Sequence, residues 1–336
     1  MRVDLLDILA CPRCGGGIGL IDGRSDTEGM VPAGTLHCSS CDQTYPLRDG
    51  VPRFVTGSNY SESFGYQWNT FLREQLDCFN GTTLSRDRFF AETEWTAEWL
   101  AGKRILDVGC GAGRFLDVAS RYAETVVGLD SSDAIDAARR NLADRRNVDL
   151  VQASVYELPF RPDVFDGCYC VGMIQHTPDP QQAVSALGPM LKPAGRIAVT
   201  AYRRNRWTRL HSKYLLRPLT THINSRVLLS LIRFSMPFWF VVTEVLFRIP
   251  MAGKIFQFLI PIANYVDQPA LSWSQRYQWA IMDTFDALSP AFDQPQTRGE
   301  VEAALSRGGI VEVRESDRRG LSLVGVKARV GRPTSR

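Results

Sequence analysis

A glycine-rich segment in the first half of the chain constrains the fold more than any other feature. The apolar run Arg104–Val108 leads into a loop with glycines at 109, 111 and 113, and residues 114–121 then have helical spacing. This order is typical of a buried strand, a tight turn and a helix. Since glycine lets a ligand approach the backbone closely, the segment predicts a strand–loop–helix unit that binds a ligand in its loop.

The alternation continues beyond this loop. Further strands are predicted at Thr125–Leu129, Val148–Gln152, Phe165–Val171 and Gly195–Ala201, and further helices at Ala134–Leu142 and Gln181–Leu191. Strands that alternate with helices indicate an α/β fold with a doubly wound parallel sheet. Such sheets bind ligands at the carboxyl ends of their strands, where the winding reverses.

Two acidic residues and one arginine indicate which ligand the loop suits. A dinucleotide fingerprint requires glycine at position 114, where this chain has Arg114. The carboxylate of Asp107 would repel a pyrophosphate but attract an ammonium group. Asp130 ends the second strand, where a carboxylate can accept hydrogen bonds from both ribose hydroxyls. The pattern disfavours a dinucleotide and favours a nucleoside that carries an amino acid.

Five segments then carry a family resemblance. They occur in the order LDVGCGAGRF, VVGLD, LVQASVYELPF, FDGCYCVGMIQHTPDP and LKPAGRIAVTAY. Over roughly residues 60–330 the chain resembles the class I S-adenosylmethionine (SAM)-dependent methyltransferases. The resemblance implies SAM as cofactor and a Rossmann-like seven-stranded sheet that ends in an antiparallel hairpin. Gly309–Glu315 and Leu321–Lys327 fit that hairpin, preceded by a helix at Thr297–Arg307.

The resemblance also implies which residues bind the cofactor. It places Asp107, Gly109 and Gly111 at the methionine end and Asp130 at the ribose, with the Val155 amide at the adenine. Ser154 stands where the family often has an acid, so adenine binding loses a charged acceptor. The full set of predicted cofactor-binding residues is Asp107, Gly109, Cys110, Gly111, Asp130, Ser131, Ser154, Val155 and Val171.

The N-terminal part carries two CxxC pairs, formed by Cys11, Cys14, Cys38 and Cys41. Two such pairs complete a closed tetrahedral Zn²⁺ site, which is structural because it has no open position. A redox-active CxxC motif would instead lie at a strand–helix junction. A strand, a turn at Asp49-Gly50 and a second strand are predicted within Tyr45–Val55. Residues 1–57 resemble the zinc-ribbon module that precedes some bacterial methyltransferases, which leaves residues 58–330 as the methyltransferase domain.

Residues 203–290 form a long insertion that is predicted to be helical and hydrophobic. It opens with a basic run and continues with the apolar segment Val227–Ile262. Within Val227–Ile262 the longest uncharged stretch, Phe234–Thr243, is ten residues long, which is shorter than the roughly 20 needed to span a membrane. Three interpretations remain open: a cap over an apolar substrate pocket, a peripheral contact with the membrane surface, or a homodimer interface.

Three further segments bear on the reaction. His176 follows the fourth strand and is the candidate general base, should the acceptor have to lose a proton. Met282–Gln296 is predicted to be a substrate-side loop that carries Asp283, Asp286 and Asp293. The linker Thr56–Arg88 is rich in aromatic residues that either form a lid over the cofactor or pack as core.

These patterns favour methyl transfer to a small-molecule, hydrophobic or lipid-linked metabolite. A ribosomal-RNA methyltransferase is the main alternative, and a non-catalytic SAM-binding partner protein is another. A net charge of +3 argues against a nucleic-acid partner. The N-terminus has no signal-peptide pattern, so we expect a cytoplasmic protein, with a peripheral membrane location as the alternative.

Overall fold

Two sheets organise the residues that the structure, a computed structural model, describes: 1–55, 57, 59–316 and 320–329. A four-stranded antiparallel sheet lies in the N-terminal part, and a seven-stranded sheet with helices on both faces makes up most of the remainder. Thr56 and Ser58, at the predicted domain boundary, and Val330, at the predicted end of the methyltransferase domain, lie outside the described residues.

The small sheet follows a short 3-10 turn at Val3–Asp7. Its strands, in sequential order, are β1 (Ile18–Asp22), β2 (Gly34–Cys38), β3 (Thr44–Arg48) and β4 (Val51–Pro52). Asp49 and Gly50 join the last two with φ values of 52° and 72°. Two-residue hairpins favour this left-handed pair because its twist matches that of the flanking strands. The predicted strand–turn–strand is confirmed.

The four cysteines of this sheet converge, with all their thiol sulfurs within 4.8 Å of one another. Cys11 Sγ lies 3.7 Å from Cys41 Sγ, and Cys14 Sγ lies 3.5 Å from Cys38 Sγ. Four sulfurs around a zinc ion at about 2.3 Å would be separated by about 3.8 Å. The Tyr45 hydroxyl is 3.1 Å from Cys11 Sγ, where it can donate a hydrogen bond to a thiolate ligand. The donor set therefore fits the predicted structural zinc.

The large sheet contains β5 (Arg104–Val108), β6 (Thr125–Asp130), β7 (Val148–Gln152), β8 (Phe165–Val171), β9 (Leu191–Ala201), β10 (Ile310–Glu315) and β11 (Leu321–Lys327). Their order is β10-β11-β9-β8-β5-β6-β7. Strands β5 to β9 run parallel, and β11 is antiparallel to both of its neighbours. The seven-stranded sheet with its final hairpin is confirmed. The winding reverses between β5 and β8, which is where a ligand site is expected.

Helices pack on both faces of the large sheet, and helices also form the insertion. They are α1 (Glu62–Thr70), α2 (Asp77–Asn80), α3 (Leu84–Thr93), α4 (Ala97–Leu100), α5 (Arg114–Ala119), α6 (Ala134–Asn141), α7 (Pro180–Leu187), α8 (Ser212–Thr220), α9 (Ser225–Leu246), α10 (Ala252–Leu259), α11 (Trp273–Leu288) and α12 (Arg298–Arg307).

Three differences from the sequence prediction exceed two residues. Most of the predicted linker is helical, because its aromatic residues pack against the large sheet and the insertion. The helix predicted to reach Leu191 ends at Leu187, where Gly188 and Pro189 begin a 3-10 turn, and β9 starts directly afterwards. Residues 282–288, predicted as loop, are the last turns of α11.

The small sheet docks beside β7 through buried polar contacts. Arg2 Nη2 lies 2.7 Å from Asp149 Oδ2, and the Asp149 side chain is 0% exposed. Arg53 Nη1 donates to Gln152 Oε1 at 3.0 Å, and Arg53 pairs with Gln152 as a parallel bridge next to β7. Leu9 and Leu36 belong to the same buried apolar cluster as Val127 of the large sheet. The zinc-binding part therefore covers an edge strand and shares the main core.

The insertion is helical, as predicted, and α9 is its longest element. One face of α9 packs against α11 through Leu229, Ile232, Met236 and Phe240, all buried. By length and composition α9 could cross a membrane, contrary to the argument from its short uncharged stretch, although 33% of its most apolar window is buried within this fold.

The basic run that opens the insertion is mostly paired. Arg203 pairs with Glu315, Arg204 with Glu300 and Lys213 with Asp293. Arg217 donates to the backbone carbonyl of Ala287 in α11 and to that of Pro290 just after it. These cations therefore form contacts within the fold rather than a free basic surface.

We predict that Cys38→Ser removes the zinc and loosens the small sheet, because three thiolates leave the ion without its fourth protein ligand. Zinc content by elemental analysis should fall well below one ion per chain, and amide hydrogen exchange should rise across residues 1–52. The matched control is Cys78→Ser, at an exposed cysteine outside the cluster. Full zinc occupancy in the Cys38 variant would show that the cluster is not a metal site.

Candidate active site

A cavity of about 270 Å³ lies at the carboxyl ends of the central strands. Its floor comes from the loop after β5 and the ends of β6 and β8, and residues just after β7 add one wall. Helices α1 and α11 cover it with aromatic and acidic side chains. It therefore occupies the switch point at which the sheet order reverses.

The glycine loop comes close to the residues that cover it. Gly109 and Gly111 have φ values of 80° and 52°. A Cβ on Gly109 would lie 2.4 Å from Met173 Cγ, and one on Gly111 would lie 3.1 Å from Trp68 Nε1. Side chains at these positions would be strained and would displace the cavity walls, so the loop exposes bare backbone to the cavity.

Asp130 joins this loop to the next strand. Its Oδ2 accepts a hydrogen bond from the Gly111 amide at 2.9 Å. Its Oδ1 accepts from the Ser132 amide at 2.8 Å and the Ser132 hydroxyl at 2.7 Å. Burial raises the pKa of Asp130. A carboxylate has about four acceptor positions, so the side chain can still accept from a ligand hydroxyl.

Asp107 lies behind the loop rather than in the cavity wall. It is 2% exposed in β5, and its Oδ2 has no hydrogen-bond partner among the described residues. Burial raises the pKa of Asp107 well above its usual value. An ammonium group bound at the loop would favour the charged form of this acid.

The segment after β7, where the adenine is expected, differs from the prediction in one side chain. Ala153 and Val155 line the cavity, whereas Ser154 Oγ accepts a hydrogen bond from the Tyr156 amide at 3.2 Å. The serine hydroxyl thus stabilises its own turn. The predicted residues that the structure brings together around the cavity are Gly109, Cys110, Gly111, Asp130, Ser131, Val155 and Val171.

His176 lines the same cavity from the 3-10 turn after β8. Its Nδ1 is 3.0 Å from the Phe292 carbonyl oxygen. Because a carbonyl only accepts, Nδ1 must carry the hydrogen, which leaves Nε2 with its lone pair in the neutral ring. Nε2 has no partner among the described residues, and the ring is held between Phe64 and Tyr202. This arrangement presents a base to the cavity.

Two acids of α11 face the cavity as well. Asp286 Oδ1 accepts from Gln67 Nε2 at 3.2 Å. Burial, together with the neighbouring Asp286, raises the pKa of Asp283 to about 7. Asp293 is instead held outside this cavity by Lys213 at 2.8 Å and the Tyr214 hydroxyl at 3.1 Å. Two of the three acids predicted at the substrate side therefore reach it.

Comparison with known families agrees with this geometry. Residues 106–199 match the family model described as a methyltransferase domain, and residues 2–50 match the one described as Trm112p-like protein. Residues 106–199 are therefore similar to a methyltransferase domain. The matched segment runs from the glycine loop to β9 and so includes the cofactor side of the cavity.

Curated relatives share part of this domain. A ubiquinone biosynthesis O-methyltransferase from Klebsiella pneumoniae is 38% identical over 109 residues, which cover 32% of this chain and 45% of that protein. The enzyme of the same name from Thiobacillus denitrificans is 38% identical over 110 residues, covering 32% and 47%. The chain thus spans about half the length of the curated relatives it matches.

Among solved structures, a SAM-dependent methyltransferase from Aquifex aeolicus is similar over 80% of this chain and 99% of that chain. Its sequence identity is 12% and its TM-score is 0.41, a similarity too low to carry an argument.

The charged residues that line the cavity are compatible with SAM. They include Arg88 and Arg114, whose guanidinium groups suit the carboxylate of a methionine moiety. Arg114 donates to Ser85 Oγ at 2.9 Å and to Gln75 Oε1 at 3.0 Å. Burial and the nearby Arg88 lower the pKa of Arg114 to about 9. Sequence reasoning noticed Arg114 only as a departure from a glycine pattern, and it missed Arg88 because no motif surrounds it.

We predict that Asp130→Asn weakens SAM binding about tenfold or more, since a charged acceptor toward the ribose is lost while the side-chain shape is kept. Isothermal titration calorimetry of the full chain measures this, and thermal unfolding checks that the variant folds. Asp144→Asn, at an exposed acid outside the cavity, is the control. Unchanged affinity in the Asp130 variant would contradict the ribose role.

Proposed function

We propose that this chain is a SAM-dependent methyltransferase that methylates a hydroxyl group on a small hydrophobic or lipid-linked molecule. The observation that carries the proposal is the position of His176. Its unpartnered Nε2 lies in the same cavity as the glycine loop and Asp130. The relatives named O-methyltransferases support a hydroxyl as acceptor.

In this proposal SAM supplies an activated methyl group, and the chain's own residues align the acceptor and move its proton. The loop from Gly109 to Gly113 and Asp130 bind the cofactor. His176 Nε2 accepts the hydroxyl proton, and the resulting imidazolium is stabilised by the hydrogen bond from Nδ1 to the Phe292 carbonyl. Phe64 and Trp68 of α1, with α11 behind them, exclude water from the reacting groups.

The acceptor's chemistry follows from the walls of the cavity. Many of the residues that line it are apolar or aromatic, including Phe71 and Met173, and the rings of Phe64 and Tyr202 contact that of His176. Such walls favour an apolar ring or chain next to the reacting hydroxyl. An RNA substrate would have to bring a base out of its stack to enter the cavity, at a cost of a few kcal/mol.

The test is to incubate the chain with methyl-labelled SAM and three extracts: lipids, aqueous small molecules and RNA. We expect label in the lipid or small-molecule extract. His176→Gln should lower kcat about 10²-fold or more with SAM affinity unchanged, because glutamine fills the space but takes up no proton. The matched control is His222→Gln, at an exposed histidine.

Incorporation of the label into RNA alone would contradict the proposed small-molecule or lipid-linked acceptor. SAM binding without transfer to any extract would overturn the enzyme assignment. If the His176→Gln variant kept full activity, only the general-base role of His176 would be contradicted.

We further propose a peripheral contact with the cytoplasmic membrane surface, made by the exposed face of α9. Six large apolar residues repeat there at alternating intervals of four and three: Val227, Leu231, Phe234, Phe238, Val241 and Val245. Phe234 is 88% exposed. A continuous apolar stripe of this kind is typical of a helix that lies in the membrane interface.

Charge supports an anionic surface as the partner. Residues 218–262, which follow the paired basic run, hold four arginine and lysine residues and one acid, Glu244, a net charge of +3. Glu244 is itself paired with Arg248 and Arg276. Arg226, Arg233 and Lys254 are exposed on α9 and α10. Like charges on two copies would oppose a homodimer through this face, while anionic headgroups attract it.

We predict that the chain floats with vesicles containing phosphatidylglycerol and not with vesicles of phosphatidylcholine alone. The double variant Phe234→Glu and Phe238→Glu should remain at the bottom of the gradient, because it places charge in the stripe. Phe79→Glu, at a partly exposed phenylalanine on α2, is the control. If the wild-type chain does not float, the membrane contact is wrong and the methyltransferase proposal is unaffected.

A further inference from the structure

A second cavity, of about 600 Å³, adjoins the first across Tyr202. It is bounded by the chain after β9, the start of α8 and one face of α10. Tyr202 lines both cavities, and its ring contacts His176 at 5.6 Å between ring centroids. Tyr202 is 38% exposed, so a long molecule with its reacting hydroxyl at His176 would have to pass over this ring to reach the second cavity.

The two cavities differ in charge. The first is lined by Asp130, Asp283 and Asp286 as well as two arginines. The residues that line the second include Arg203, Lys213 and Lys254 and no acidic side chain. Arg203 and Lys213 have acidic partners behind the wall, whereas Lys254 is exposed at the rim and has no ion-pair partner among the described residues. The first cavity suits a cationic cofactor, and the second suits a group of negative charge.

The remaining walls of the second cavity are mostly rings, contributed by Trp207, His211, Tyr214 and Phe258. Phe258 and His211 are in contact, with 5.2 Å between ring centroids. His211 Nδ1 accepts the Lys213 amide at 3.3 Å, so its hydrogen lies on Nε2, and burial lowers the pKa of His211. The histidine is thus a neutral ring with one donor.

The wall between the cavities is fixed in place. Lys213 Nζ lies 4.5 Å from the Tyr202 ring centre and 4.8 Å from that of Tyr214. The same ammonium binds Asp293, whose side chain is 0% exposed and also accepts from the Tyr214 hydroxyl. A buried ion pair stacked between two rings holds this wall without a ligand, so the second cavity is largely formed in advance.

We propose that the second cavity binds the distal part of the methyl acceptor, an apolar or aromatic body that bears one anionic group, a carboxylate or a phosphate. This inference extends the proposed function and rests on it, because the chain has a methyl acceptor only if it is a methyltransferase. In this proposal the aromatic rings contact the apolar body. The Lys254 ammonium and the His211 Nε2–H group donate hydrogen bonds to the anionic group. The chain then selects amphiphilic acceptors with a negative charge away from the hydroxyl that is methylated.

The test uses monomeric probes below their micellar concentrations: octyl phosphate, octanoate, octyl glucoside and octyltrimethylammonium. Calorimetry on the full chain should show that the two anions bind at least about threefold more tightly than the neutral and cationic probes. Lys254→Glu should weaken anion binding about tenfold and leave octyl glucoside unchanged. Arg24→Glu, at an exposed arginine that lines neither cavity, is the matched control. Phe258→Ala should weaken all the probes, because the ring contact is apolar.

Equal binding of all four probes, or anion binding that Lys254→Glu leaves intact, would overturn the anionic assignment. Absence of binding by every probe would overturn the site itself. Neither outcome bears on methyl transfer, which the labelled-SAM experiment measures separately, so failure of this inference is distinguishable from failure of the proposed function.

Discussion

The hydrogen bond from the Gly111 amide to Asp130 is the contact on which the site depends. It joins the end of β6 to the loop after β5, at the place where the sheet changes direction. The same carboxylate holds the Ser132 amide and hydroxyl. One partly buried acid thus fixes the glycine loop and the start of the turn into α6, and it keeps acceptor capacity for a ligand. Binding residues on two separate strands are positioned by a single side chain.

The zinc-binding sheet depends on the large sheet as well as on its metal. Its apolar residues belong to the main core, and Arg2 forms a buried ion pair with Asp149 of β7. Breaking such a pair leaves a charge without a partner in the interior, which is more costly than losing an exposed pair. The cysteines therefore organise one end of this sheet, while β7 fixes its position on the rest of the chain.

Much of the fold was predictable because it depends on local pattern. The strands β5, β7 and β8 begin and end where their apolar runs do, and the cysteine spacing anticipated the cluster. The prediction of a loop at residues 282–288 is wrong. Met282, Phe285 and Leu288 are three residues apart, which is helical spacing, and they are buried where α11 packs on α1 and α9. Arg88 and the pairing of Asp293 with Lys213 are long-range contacts that no local pattern encodes.

Helices α1 and α11, which cover the cavity, also contact each other. Helix α1 lies over the glycine loop through Trp68 and meets α11 through Tyr66, whose ring centroid is 6.0 Å from that of Phe285. Gln67 and Asp286 add a hydrogen bond between the same two helices. Helix α11 also belongs to the insertion that is proposed to contact the acceptor. In the proposed reaction, a substitution in α11 would therefore affect both acceptor preference and the release of used cofactor, so that the insertion would influence the turnover rate as well as specificity.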